Sequence, residues 1–177
     1  MSAPSVNING LTLDGNGLAL VDVSIEQDAA YWEWHVTSNE KVANGTDNED
    51  FFDEGSALQF GVATKKSRDF YKAMATNEGD DEANVDDGTK LMRPISNVQN
   101  GDTIGVAVQQ SDLPMVQFLL NGEPLHEMAI SRFRGMVFPS VFVRDGFTIK
   151  AVFDEDEFKE LSPHVRFGPL LQERGLI

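Results

Sequence analysis

Short apolar or alternating runs, each closed by a turn signal, repeat along the chain from residue 31 to residue 158. The runs are 31–37, 58–63, Thr103–Gln109, Met115–Leu120, 136–143 and 147–153. Asn100-Gly101-Asp102, Asn121-Gly122 and Asp145-Gly146 punctuate them. Residues that tolerate φ > 0, set between runs of strand length, predict tight reversals. Many short strands so spaced predict an all-β fold, a bent antiparallel sandwich or barrel with at most short helical turns. An α/β nucleotide fold is not indicated. In a sandwich, function is carried by the loops at the rims.

The clearest alternation is Tyr31-Trp32-Glu33-Trp34-His35-Val36. A strand there puts Trp32, Trp34 and Val36 on one face and Tyr31, Glu33 and His35 on the other. Two tryptophans sharing a face of a central strand are expected in the core. Residues 18–24 predict a further strand, and at most one short strand is expected near Leu11 and Leu13. Residues 38–57 are too polar and acidic to be buried and predict a loop. Within the irregular stretch 65–84, residues 67–75 predict a short helical turn capped by Ser67. Pro163 and Pro169 exclude a long helix from the last twenty residues. That tail holds Phe167, Leu170, Leu171, Leu176 and Ile177, and it is expected to pack along the sandwich. No solenoid repeat or low-complexity linker divides the chain, so one domain is expected over residues 1–177.

Composition narrows the function classes. A chain of 177 residues, 41% hydrophobic with 12 Phe, can bury a sizeable core. It has no cysteine. Disulfides, thiol nucleophiles and zinc fingers are therefore excluded, and an intracellular, non-secreted setting is expected. No basic-then-apolar leader begins the sequence and no run has the length of a membrane span. The sequon Asn44-Gly45-Thr46 is read as chance. A net charge of −15 argues against nucleic acid or an anionic membrane as partner. Carboxylates bunch in 40–54, 78–87 and 154–160. The bases bunch too: Lys65, Lys66, Arg68 and Lys72 are opposed locally only by Asp69.

Enzyme motifs are missing. Gly55-Ser56-Ala57-Leu58 lacks the second glycine of a nucleophile elbow. Gly88-Thr89-Lys90 lacks the upstream glycine of a phosphate loop, and Gly15-Asn16-Gly17 leads into a strand, not a helix. His35, His126 and His164 show no ligand spacing. Neither acidic loop fits the EF-hand pattern: a glycine at 88 requires an oxygen ligand at 83, which is Ala, and one at 55 requires it at 52, which is Phe. An irregular calcium site and a basic partner remain alternatives for these loops. No catalytic residue, metal site or cofactor is assigned.

Several segments, taken in order, resemble a SPRY domain over roughly residues 18–158. They are Tyr31-Trp32-Glu33-Trp34-His35-Val36, Phe60-Gly61-Val62-Ala63-Thr64, Asp87-Gly88, and Asn100-Gly101-Asp102-Thr103-Ile104-Gly105-Val106. Val116-Gln117-Phe118-Leu119-Leu120-Asn121-Gly122 and Met136-Val137-Phe138-Pro139-Ser140-Val141 follow. Phe133-Arg134-Gly135-Met136-Val137-Phe138-Pro139 and the apolar tail resemble the single-domain SPRY-domain-containing protein 7 subtype. The acidic loops and the lack of that subtype's N-terminal cysteines are departures from it. The resemblance implies a non-catalytic module that binds a peptide or protein surface through loops at one rim. Carried over to this chain, the rim comprises 64–71 and Arg144-Asp145-Gly146.

That rim makes the basic cluster a candidate site. Thr64, Lys65, Lys66, Arg68, Tyr71, Arg144 and Asp145 are the expected partner-binding residues. Arg offers a planar fork for carboxylate or phosphate, and Tyr71 an aromatic anchor. The expected partner is an acidic or phosphorylated protein segment, captured as part of a larger assembly. The alternative is that these bases only balance neighbouring acidic loops. A different class of reading is a lectin-like sandwich in which Trp32 and Trp34 line a sugar site. Phe133, between Arg132 and Arg134, is a secondary contact candidate if exposed.

Overall fold

The alternating run around Trp32 and Trp34 lies in the longest strand among the described residues, and the other strands of the large sheet assemble about it. The computed structural model describes residue 2 and residues 5–38, 57–64, 90–111, 113–133 and 135–170, with Lys90 by its backbone alone. In chain order the strands are β1 (Val6–Asn9), β2 (Thr12–Gly15), β3 (Gly17–Leu20), β4 (Ala29–Ser38), β5 (Gln59–Ala63) and β6 (Lys90–Pro94). There follow β7 (Thr103–Gln109), β8 (Met115–Leu120), β9 (Glu123–Pro124), β10 (Ile130–Ser131), β11 (Phe138–Val143), β12 (Phe147–Val152) and β13 (Gly168–Pro169). Short 3₁₀ turns at His126–Met128 and Glu155–Glu157 are the helical elements among the described residues.

These strands form two sheets, ordered β1-β2-β12-β4-β7-β8-β10 and β3-β11-β5-β6. Neighbours within each path are antiparallel; β9 adds to β8, and β13 runs parallel to β4. The expected antiparallel sandwich is therefore the architecture found. Period-two alternation assigns the faces. Trp32, Trp34 and Val36 of β4, Ile104 and Val106 of β7, Phe60 and Val62 of β5, and Val141 and Val143 of β11 share the core between the sheets. The opposite face of the small sheet carries a second buried cluster: Leu18, Leu20, Ala63, Met92, Phe138 and Phe142. The opposite face of the large sheet carries a third, built on Tyr31, Ala107, Leu119 and Phe167.

Local chemistry sets the register. Asn121 and Gly122 both take positive φ, 50° and 83°, as a two-residue hairpin turn requires. The Asn121 side chain then accepts from Thr103 N at 2.8 Å and donates to Asp102 Oδ1 at 3.0 Å, tying this turn to the one before β7. Gly61 has φ 154°, and a Cβ there would stand 2.2 Å from the Leu91 carbonyl oxygen. Only glycine lets β6 pair so closely with β5 at this point.

Two expectations change. The region around Leu11 and Leu13 holds a hairpin of two strands, β1 and β2, not one strand. The strand expected over 18–24 ends at Leu20. Its partner β11 presents Pro139, which accepts from Val21 N at 2.9 Å but has no N–H to return. The β3–β11 ladder therefore stops at Leu20 opposite Ser140. Pro139, whose missing N–H predicts a strand at a sheet margin, stands instead in an interior strand, paired with Val62.

Candidate interaction surfaces

Each end of the small sheet presents part of the expected rim, but not the same part. β5 runs from the Ala57 end to Thr64, and β11 runs the other way, with Phe138 opposite Ala63 and Phe142 opposite Gln59. Thr64 is half-buried at the end where β5 leaves the sheet. Arg144 follows β11 at the other end, where its Nε donates to the Ala57 carbonyl at 3.4 Å. At about 3.3 Å per residue, the seven steps from Ala57 to Thr64 separate the two by roughly 20 Å. The structure does not bring Thr64 and Arg144 together. The expectation of one rim holding both is corrected for these two residues, because antiparallel pairing sends the ends of β5 and β11 apart. Lys65, Lys66, Arg68 and Tyr71 lie outside the described residues.

Arg144 is engaged within the fold. Besides Ala57, its Nη1 donates to Asn16 Oδ1 at 3.4 Å, and its guanidinium carbon stands 4.2 Å from the centre of the Phe142 ring. Asp145 beside it is exposed, in a turn closed by Phe147 N donating to the Arg144 carbonyl at 3.2 Å. Of the secondary candidates, Phe133 is 6% exposed and belongs to the main core, so it is no surface contact. Trp32 and Trp34 are both 0% exposed. Neither ring is open to a sugar, and the lectin-like reading loses the residues on which it rested.

A polar centre that the alternation did not reveal lies on the other face of β4. Glu33 is 0% exposed. Its Oε2 accepts from the Tyr31 hydroxyl at 2.8 Å and from Glu160 N at 3.0 Å. Its Oε1 accepts from Lys159 N at 2.8 Å and from His35 Nε2, also at 2.8 Å. An acceptor-only carboxylate selects the His35 tautomer that carries its proton on Nε2. A buried carboxylate is costly unless hydrogen-bonded, and here both oxygens are used. The result is a latch that holds residues 153–170 as a strap across the large sheet. Phe158 meets Tyr31 edge-to-face at 5.1 Å, Leu170 N donates to the Tyr31 carbonyl, and β13 pairs with the start of β4. Gly105 makes room for this: a Cβ there would stand 2.8 Å from the Tyr31 hydroxyl.

Burial raises the Tyr31 hydroxyl far above the usual phenol range, helped by its hydrogen bond to Glu33 and by the charges of Glu33 and Glu160. A raised folded-state pKa contributes stability that is whole below the free phenol value of about 10 and drains away as pH climbs past it. In a Tyr71→Phe variant, Tyr31 is the sole phenol. Its phenolate absorbance is then expected to appear only as the protein unfolds. Stability is expected to fall by up to about 1.4 kcal/mol per pH unit above the free value. Tyr31→Phe should remove that slope; ionisation of Tyr31 in a still-folded protein would refute the assignment.

With the architecture established, comparison with known proteins places it. No protein-family model matches the chain, and no curated protein matches it. Solved structures do. The TRIM65 PSpry domain aligns over 86% of this chain and 88% of its own, with TM-score 0.50 and 10% identity. The chain has the SPRY fold. The SPRY domain of human HERC1 (TM-score 0.46, 15% identity) and a further human SPRY domain (TM-score 0.48, 12% identity) each align over 84% of this chain and 94% of their own. At such identities the likeness concerns the SPRY fold and not the residues at its rims.

The strap adds one more feature to this SPRY fold. A cleft of about 190 Å³ opens between it and β4, lined by Tyr31, Phe158, Phe167 and Pro169 together with Glu155 and Glu160. No helix among the described residues is long and apolar enough to cross a membrane.

Proposed function

We propose that the protein is a non-catalytic interaction module that captures an acidic or phosphorylated segment of a partner protein inside the cell. The SPRY fold supports a rigid scaffold presenting loops at its ends. The sequence pattern resembles the same family, whose members bind other proteins. The finer likeness, to the single-domain subtype, rests on residues 133–139 and the tail.

The observation that carries the choice of surface is where the bases fall. Lys65, Lys66 and Arg68 follow directly on Thr64, where β5 leaves the sheet, in a chain of net charge −15. A cationic run against so acidic a background draws an anionic segment by charge complementarity. Tyr71, further along the run, supplies the aromatic anchor. Arg144 and Asp145 belong to a second surface, reached by the same partner only if it extends along the sheet. The lack of cysteine supports the intracellular setting.

Charge reversal at Lys65, Lys66 and Arg68 together is expected to abolish capture of the partner from its own cells, with melting temperature and circular dichroism unchanged. Equal recovery of partner by the folded variant would refute the proposal.

A further inference from the structure

We infer that the cleft between β4 and the strap binds one lysine or arginine side chain, presented by a basic segment of a second protein partner. The walls are aromatic: Tyr31, Phe158 and Phe167 all line the cleft. Ring faces attract cations, and an aromatic lining that also holds two carboxylates suits an alkyl stem ending in positive charge. Phe167 already shows the affinity in this protein, because the Arg166 guanidinium carbon stands 5.3 Å from its ring centre. The same guanidinium also donates to Gln109 Oε1.

Glu157 pairs with Lys150 at 3.5 Å, but Glu155 and Glu160 form no ion pair among the described residues. Lys159, next to Glu160 in the chain, is exposed and donates its backbone N–H to Glu33. Glu155 is exposed and Glu160 half-buried, so both can meet an incoming cation. A cleft of about 190 Å³ is smaller than sites for drug-sized molecules, which begin at roughly 300 Å³, and suits a single side chain. Leu161, which also lines the cleft and is 86% exposed, offers apolar contact to the flanking chain. This site is of opposite sign to the run following Thr64 and does not depend on it.

The test uses capped glycine–serine peptides carrying one central lysine, arginine or norleucine, titrated into the 177-residue chain and followed by backbone amide shifts. The lysine or arginine peptide is expected to move the amides of residues 155–162 and 167–168, and norleucine, the neutral isostere, to move none. Glu155→Gln with Glu160→Gln should weaken the cationic peptide at least tenfold. That pair leaves the Glu33 latch intact, because the latch uses the backbone N–H of residue 160. Charge reversal at Lys65, Lys66 and Arg68 should leave this affinity unchanged, which separates failure of this site from failure of the proposed partner surface. Equal binding of norleucine, no shift with any peptide, full affinity in the double variant, or preference for phosphatidylcholine vesicles over peptide would each overturn the inference.

Discussion

Replacing Glu33 with alanine is expected to destabilise the protein by roughly 3–5 kcal/mol, because it strands several buried donors at once. Four groups converge on this one carboxylate: the Tyr31 hydroxyl, His35 Nε2 and the backbone N–H groups of residues 159 and 160. Each orphaned buried donor costs about 1–3 kcal/mol, and some relief comes as the strap lifts and water enters. The damage should therefore appear locally first. Amide exchange at residues 159 and 160, and at Leu170, which bonds to Tyr31, should accelerate far more than exchange in β7 or β8. Glu33→Gln keeps one acceptor oxygen but turns an NH₂ group towards existing donors, so it should be only partly milder. An alanine variant of unchanged stability in urea unfolding would show that the strap does not depend on this carboxylate.

The second large effect belongs to the tryptophans. Trp32→Ala and Trp34→Ala should each cost roughly 3–5 kcal/mol. Both rings are wholly buried between the sheets, and Trp34 lies 6.4 Å from the Phe60 ring across the core. A domain of ordinary stability, about 5–15 kcal/mol, would be left marginal by such a loss. Urea midpoints and tryptophan fluorescence read it directly. A sugar-binding role for these rings would give the reverse outcome: ligand lost and stability kept.

Much of the fold was legible in the chain because its signals are local. Runs Thr103–Gln109 and Met115–Leu120 coincide with β7 and β8, since alternation and the Asn-Gly turns mark both bounds. The register of Trp32 and Trp34 followed from period two alone. Signals spread across the sequence were not legible. Pro139 ends β3 from a strand more than a hundred residues away. Glu33 read as an ordinary outward-facing polar residue, because its partners at 159 and 160 are far off in sequence and contribute only backbone. A buried glutamate flanked at two residues on either side by Tyr and His was the one available hint. Thr64 and Arg144 fall apart for a related reason: a family pattern gives the segments in order, but the direction of β5 against β11 decides at which end each strand finishes. Phe133 between two arginines was a contact candidate only if exposed, and it belongs to the core.

Site-specific crosslinking in cells tests the central claim most directly. A photoreactive residue placed at Thr64, at the end of β5 where the basic run begins, should yield a covalent adduct with a partner protein. The adduct should vanish when Lys65, Lys66 and Arg68 are reversed in charge. A partner adduct that persists in that variant, or none from Thr64 while Asp145 crosslinks efficiently at the far end of the sheet, would contradict the account.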